Sequence, residues 1–325
     1  MVSGDIGGLI MLDRAPLREV RDFYCDSRQW DAYRPRNGDV VIATAPKVGT
    51  TWTQQIVNLL IFQNAEPRPL TMMSPWIDCR IQMPPEVMMQ IIEAQDHRRF
   101  LKSHLPLDGL PIHNEVRYIH VARGGRDACM SFLNHINGYN DDVWGRLDAA
   151  GLGDPEIGIP KPRPPRSARE FFHHWIAPTE TSALELMSQA FFSIERSYWK
   201  ERARPNLLLV HYNDLKADLQ GEMARIAAFL EMDIPQEIWP ELVDAATFES
   251  MQRDGEALLP GMEMGFTEGV KTFLNKGTNN RWQGVLTDED NALYQARVEQ
   301  ELSPGLRAWL EAGRLAVGDP RDLAD

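Results

Sequence analysis

Apolar residues fall along this chain in two rhythms. Short, dense runs rich in β-branched residues occur as DVVIATAP at 39–46, RFLKSH at 99–104, VRYIHVAR at 116–123 and NLLLVHYNDL at 206–215. Each ends at a proline or a polar turn, which predicts four buried strands. Between them, apolar residues recur every three or four positions, the period of a helix. This predicts helices over 15–30 (Leu17, Val20, Phe23, Tyr24), TQQIVNLLIF after KVGTTW, 86–95, GGRDACMSFLNHI, EFFHHWIAPTETSALELM and KADLQGEMARIAAFLEM. The stretch 67–85 holds Pro67, Pro69, Pro75, Pro84 and Pro85 and reads as loop. IGIPKPRPPRS at 157–167 is the clearest linker signal, either a domain boundary or an excursion within one domain.

Strands alternating with helices predict an α/β fold: a single domain, 1–325, with a central, mainly parallel β-sheet flanked by helices. Its core runs from about residue 39 to 287, between an N-terminal helical segment, 1–38, and a C-terminal helical tail, 288–325. In such folds ligands collect at the carboxyl ends of the strands. Polar residues fall there in four separate segments: Lys47 to Thr51, His104, Arg123 and Tyr212.

Composition narrows the function. The 325 residues are 43% hydrophobic and 25% charged, ordinary for a soluble globular chain. Asp and Glu outnumber Lys and Arg, 47 to 34, for a net charge of −13, which argues against nucleic acid as the main partner. A local site for a small anion needs only a few groups and stays open. Cys25, Cys79 and Cys129 match no zinc or disulfide spacing, and no basic start precedes the first apolar stretch. No run approaches the roughly 20 apolar residues of a transmembrane span. A reducing, cytoplasmic location is the expectation. Nine Trp and 14 Met provide large apolar surface, most of it expected in the core.

APKVGTTW has the ingredients of a phosphate cradle. Gly49 admits close backbone approach, the amides of Gly49, Thr50 and Thr51 open a helix, two threonine hydroxyls follow, and Lys47 adds a charge. It is not a Walker A loop, because the Lys precedes the only Gly. An ordinary strand–helix turn with a capping threonine is the alternative.

Order and spacing extend the picture. PKVGTTW resembles the 5′-phosphosulfate loop of the cytosolic sulfotransferase family, P-K-S/A-G-T-T-W. VARGGRDACMSF is similar to its 3′-phosphate segment, FLKSHLP to its catalytic K-T/S-H-L-P segment, VHYNDLKADLQGEMARIAAFL to the strand–helix carrying an adenine-side Tyr, and FLNKGTNNRWQGVLT to the late R-K-G-x-x-G-D-W segment. The five occur in the family's order. The resemblance implies 3′-phosphoadenosine 5′-phosphosulfate (PAPS) as co-substrate, adenosine 3′,5′-bisphosphate (PAP) as product, and a small-molecule or lipid-like hydroxyl acceptor. It assigns Lys47, Val48, Gly49, Thr50, Thr51 and Trp52 to the donor's 5′ side and Arg123 and Ser131 to the 3′-phosphate. Tyr212, Thr247 and Phe248 join Trp52 around adenine, and Asn275, Lys276 and Gly277 form the late loop.

His104 is the implied base, titrating near neutrality, with Lys47 and Lys102 stabilising charge. No metal is called for, and the His173–His174 pair cannot point one way from a helix. The segments 74–79, 138–146 and 262–266 are the expected acceptor walls. Three departures stand out: Val48 replaces Ser or Ala; Asn275 replaces an Arg, with Arg281 a candidate substitute; and Gln283 and Asp288 break the family's dimer motif, so oligomeric state stays open. The alternatives are a nucleotide-dependent kinase of related fold and a non-catalytic nucleotide-binding protein.

Overall fold

The computed structural model describes residues 11–177 and 191–325. The four expected strands form one parallel sheet: β2 (Val40–Ala43), β3 (Phe100–Ser103), β5 (Arg117–Ala122) and β6 (Leu207–His211), in the order β3-β2-β5-β6. Val40 pairs with Phe100 on one side and Arg117 on the other, and Tyr118 pairs with Leu207. The carboxyl ends therefore align in register on one edge.

Both faces of the sheet are covered, as a parallel sheet with crossover helices requires. Val41, Ala43, Leu101, Tyr118 and Leu209 belong to one core. Their alternate neighbours Val40, Ile42, Phe100, Ile119 and Val210 belong to a second. The helix Thr50–Phe62 supplies Ile56, Val57, Leu59 and Leu60 to that second core.

The expected helix over 15–30 does not form. Asp22 accepts hydrogen bonds from the amides of Tyr24 and Cys25, both at 2.7 Å, which turns the chain. Asp26 then caps a short 3-10 helix, Ser27–Ala32. Between them Cys25 pairs antiparallel with Cys79, flanked by Arg80 N–H to Tyr24 O and Asp26 N–H to Asp78 O. Phe23 and Tyr24 are buried as their apolar character predicts, but from an extended strap. Sequence also missed β1 (Leu12–Arg14) and β4 (Ile112–His113), an antiparallel pair too short to show a period.

The helix read through KADLQGEMARIAAFLEM is two, Tyr212–Ala217 and Leu219–Phe229, broken where the Asp218 carboxylate caps the second. Of EFFHHWIAPTETSALELM, the part Ala168–Ile176 is helical, while the reading over 178–187, like that over 1–10, lies outside the described residues. The Pro-rich 157–167 segment folds back on the strap: Lys161 is buried with its ammonium 4.7 Å from the Phe23 ring centroid. The tail carries helices Asp288–Glu301, Pro304–Ala312 and Arg314–Val317. No helix among the described residues is long and apolar enough to cross a membrane.

One buried ion pair fixes the entry to the sheet. Asp39 and Arg99 precede β2 and β3, and both are about 1% exposed. Asp39 accepts from Arg99 Nε at 3.0 Å, the Tyr33 hydroxyl at 2.6 Å and the Arg36 amide at 2.9 Å. Removing Asp39 leaves the buried Arg99 only the long contact to the half-exposed Glu93 carboxylate, 3.3 Å, and the Arg34 carbonyl, 2.7 Å. Asp39→Ala should lower unfolding free energy by about 3–5 kcal/mol, read as an earlier urea midpoint at unchanged slope. A loss under about 1 kcal/mol, the value of a surface pair, would contradict this account.

Candidate active site

The loop after β2 takes its shape from two residues with positive φ. Lys47 sits at φ 67 and Gly49 at φ 122. A Cβ at Gly49 would lie 3.0 Å from the Tyr212 ring, so this glycine serves both conformation and space. Gly49 is also the N-cap of the helix Thr50–Phe62 and makes no side-chain capping bond, which removes the capping-threonine alternative. The helix start thus offers amides and its dipole to an anion.

Thr44 Oγ1 donates to Ala45 O at 2.9 Å, so the 2.6 Å contact between Thr44 and Thr50 has Thr50 as donor. That hydroxyl proton points into the loop itself, while Thr50 still lines the cavity beside it. Val48 is fully buried in the core, so its side chain stands apart from the cavity and only its backbone belongs to the loop.

A cavity of about 420 Å³ opens at the carboxyl edge of the sheet. From the loop and its helix Lys47, Gly49, Thr50, Thr51 and Trp52 reach it. Lys102 and His104 arrive from β3, Arg123 from β5, and Ser131 from the helix Gly125–Asn137. Tyr212, Phe248, Asn275, Lys276 and Gly277 complete the nucleotide-like end. Thr247 does not line it; its hydroxyl accepts from the Ser250 amide and donates to Asp244 O. In a chain of net charge −13, six cations among the described residues line this cavity (Lys47, Lys102, Arg123, Arg146, Lys276, Arg281) and, among those residues, no carboxylate does.

Aromatic and polar groups shape the two ends. The Trp52 and Tyr212 rings meet edge to face at 5.3 Å, with Trp52 Nε1 donating to Ala246 O and the Tyr212 hydroxyl to Gly277 O. Arg123 lies 4.2 Å from the Tyr212 ring centroid and forks onto Asn279 Oδ1 at 2.7 and 3.1 Å. Asn275 Oδ1 is buried without a partner among the described residues. At the other end all three expected acceptor segments contribute: Ser74 and Trp76, then Tyr139, Val143 and Arg146, then Met262, Met264 and Phe266.

His104 lies where the ends join. Its Nδ1 is 2.8 Å from Thr44 O, and a carbonyl only accepts, so Nδ1 carries the proton and Nε2 keeps a lone pair. Burial, Lys102 and Lys47 push its pKa well below the usual imidazole value, although the Thr44 bond opposes them. The expectation of a titration near neutrality is thereby corrected. Lys47 takes that place: burial, Lys102 and Arg123 lower its ammonium to about 7. Burial lowers Lys102 too, and its Nζ rests 4.3 Å from the Trp76 ring centroid.

Sequence reasoning missed three supporting residues. Asp78 is fully buried and accepts from Trp76 Nε1 at 2.8 Å, Trp30 Nε1 at 3.2 Å and the His104 amide at 3.2 Å. The signal was present: one acid inside the apolar stretch SPWIDC. Asn279 and His135 gave no signal, since their roles come from elements that fold against them. His173 accounts for itself structurally, 2.7 Å from Asp290.

Gly277 tests the nucleotide end. It has φ 63, and a Cβ there would sit 2.8 Å from the Phe248 ring. Gly277→Ala should displace Phe248 and weaken PAP binding by roughly ten- to a hundredfold, matching an overpacking cost of about 1–3 kcal/mol. Calorimetry with PAP measures it; an unchanged dissociation constant would place the nucleotide elsewhere.

Comparison with known proteins agrees with this geometry. The Sulfotransferase domain model matches residues 37–304. A glycolipid sulfotransferase of Mycobacterium bovis is 33% identical over 319 residues, 94% of this chain and 96% of that protein. Human sulfotransferase 1E1 is 24% identical over 288 residues, 85% and 88% of the two chains. Retinol dehydratase, solved with androsterone and the inactive cofactor PAP, has a TM-score of 0.63 at 20% identity, covering 85% of this chain and 84% of its own. Mouse sulfotransferase SULT7A1, solved with PAP, scores 0.62 at 16% identity, covering 87% and 90%. The fold, the cationic cavity and a family match spanning most of its length establish that this chain belongs to the sulfotransferase family.

Proposed function

We propose that this sulfotransferase, working as one catalytic unit over residues 1–325, transfers the sulfuryl group of PAPS to a hydroxyl of a glycolipid-like acceptor. The observation that carries the reading is the cavity itself, lined by no carboxylate among the described residues, which joins a cationic anion loop to an apolar pocket across His104. PAPS supplies an activated sulfuryl group and a phosphate leaving group. Six cations suit a multiply anionic nucleotide, and the space above Gly49 and Gly277 suits its close approach. The acceptor end is walled by Met72, Met83, Met262 and Met264 with aromatic neighbours, a soft surface that adapts to a flexible chain. The name of the mycobacterial relative supports the same acceptor class. The kinase alternative is not favoured.

In this reading the His104 Nε2 lone pair takes the proton of the acceptor hydroxyl as the new oxygen–sulfur bond forms and the bond to the phosphate oxygen breaks. Lys47 and the amides opening the helix Thr50–Phe62 stabilise the charge left on that phosphate. Lys102 faces the same region. Arg123 and Ser131 hold the 3′-phosphate; Arg281, near enough to Arg123 to depress its pKa, stands in for the Arg replaced by Asn275. Trp52, Tyr212 and Phe248 enclose the base. The remaining site residues, Lys276 and Gly277, close the late loop.

Transfer of labelled sulfate from PAPS to glycolipids, compared with phenols, sterols and alkyl alcohols, tests the function. Transfer to none of them, or a preference for small phenols over every lipid, would overturn the acceptor class. His104→Ala should lose turnover by about 10²–10⁴-fold while PAP affinity stays intact; a variant that loses PAP binding instead would make His104 a structural support. In the wild type, kcat/KM for PAPS should decline as pH rises past about 7, because the Lys47 ammonium that favours the anion is then lost. The limb set by His104 should lie well below pH 6.5, since its neutral form is the base.

A further inference from the structure

One polar side chain on the acceptor wall has no part in this scheme. His135 lies four residues beyond Ser131 on the helix Gly125–Asn137, so the two share the face turned to the cavity. Its ring packs among Tyr139, Phe266 and Phe273, with centroids 5.1, 4.9 and 5.6 Å away. Its Nδ1 is 3.3 Å from Lys47 Nζ, and that ammonium also sits 4.8 Å from the Phe273 ring centroid. Among the described residues His135 Nδ1 is the one hydrogen-bond acceptor that Lys47 Nζ has.

While Lys47 is charged the direction of the contact is set: an ammonium offers only donors, so Nδ1 accepts and Nε2 carries the ring proton. A protonated imidazole could not accept, and would add another cation to the cluster. Burial, Lys47, Lys102 and His104 all hold His135 well below its usual pKa, so it is neutral at physiological pH. Every other charged group facing Lys47 acts against its charge. Lys102 of β3 and Arg123 after β5 both lower its pKa, and His104, were it protonated, would do the same.

We propose that His135 is a positioning residue for Lys47: its Nδ1 lone pair keeps the buried ammonium protonated and aimed along the junction between the loop and the acceptor pocket. The inference rests on the reading that Lys47 serves the donor site. It makes a residue on the acceptor wall a determinant of donor affinity.

Calorimetric titration with PAP from about pH 5.5 to about pH 9 tests the proposal in wild type, K47M, H135L and H135N. Wild-type affinity should weaken above about pH 7, as the Lys47 proton is lost from the enzyme before it binds, while below that pH the nucleotide's own phosphates, common to every variant, set the slope. K47M should lack that decline, leaving only the titration of the nucleotide's own phosphates. In H135L, without an acceptor, the decline should begin about one pH unit lower, a roughly tenfold weaker affinity on that limb. In H135N the side-chain carbonyl can accept, and the onset should return toward wild type. A merely structural His135 would weaken binding equally at every pH and leave the onset unmoved, which would overturn the proposal. The proposal also falls if K47M shows the wild-type decline, but that result removes Lys47 from the donor site altogether, whereas an unmoved H135L onset beside an altered K47M removes only His135. Should H135L fail to fold, H135F fills the aromatic wall without an acceptor and takes its place.

Discussion

Positive charge in a dehydrated cleft, opposed by acids only from a distance, is the condition on which the rest of this molecule depends. Burying one ammonium without a carboxylate is costly, and here Lys47, Lys102 and Arg123 share one cavity with no acid on its wall among the described residues. The three are carried by the ends of adjacent parallel strands, whose backbone spacing sets their separation. Their charge is managed by weaker means: aromatic faces at Phe273, Trp76 and Tyr212, carbonyl oxygens, and one amide at Asn279. Each of these can be exchanged for an anionic ligand at low cost. A carboxylate partner could not, because displacing it would leave two buried charges to resettle.

The frame that holds these groups is neutralised in the ordinary way. Asp39 with Arg99 ties down the opposite edge of the sheet. Asp78 gathers two tryptophan N–H groups and the His104 amide, and so fixes Trp76 and His104 together at one end of the cavity. Carboxylates are thus placed behind the site, where they fix backbone and indole positions without touching the space a nucleotide would occupy.

The sheet was legible because each strand is a continuous apolar run, and a strand buried on both faces reads that way whatever surrounds it. The loop was legible because Lys47, Gly49 and the threonines are adjacent in sequence, and local geometry depends on neighbours. The strap at 15–30 was not. Its apolar residues fall at helical spacing, yet Asp22 offers its amides a competing turn, and pairing with 78–80 settles the contest through partners over 50 residues away. The same reason hid His135 and Asn279: each takes its meaning from a contact across the fold. Thr50 shows the converse, a residue in the right place whose proton is already engaged by Thr44.

The contrast between an acidic exterior and a cationic cleft sets the path of anything that enters. At physiological ionic strength a charge is felt over only about 8 Å. A polyanion drifting in solution therefore meets first the net −13 of the whole chain, and is turned away weakly from most of its surface. Only within a few ångströms of the mouth does the local field reverse and draw it inward. Added salt damps the outer repulsion more than the inner attraction, since buried charges are the less screened. The protein sorts its visitors by where they touch it: an anion is welcomed at one opening and discouraged almost everywhere else.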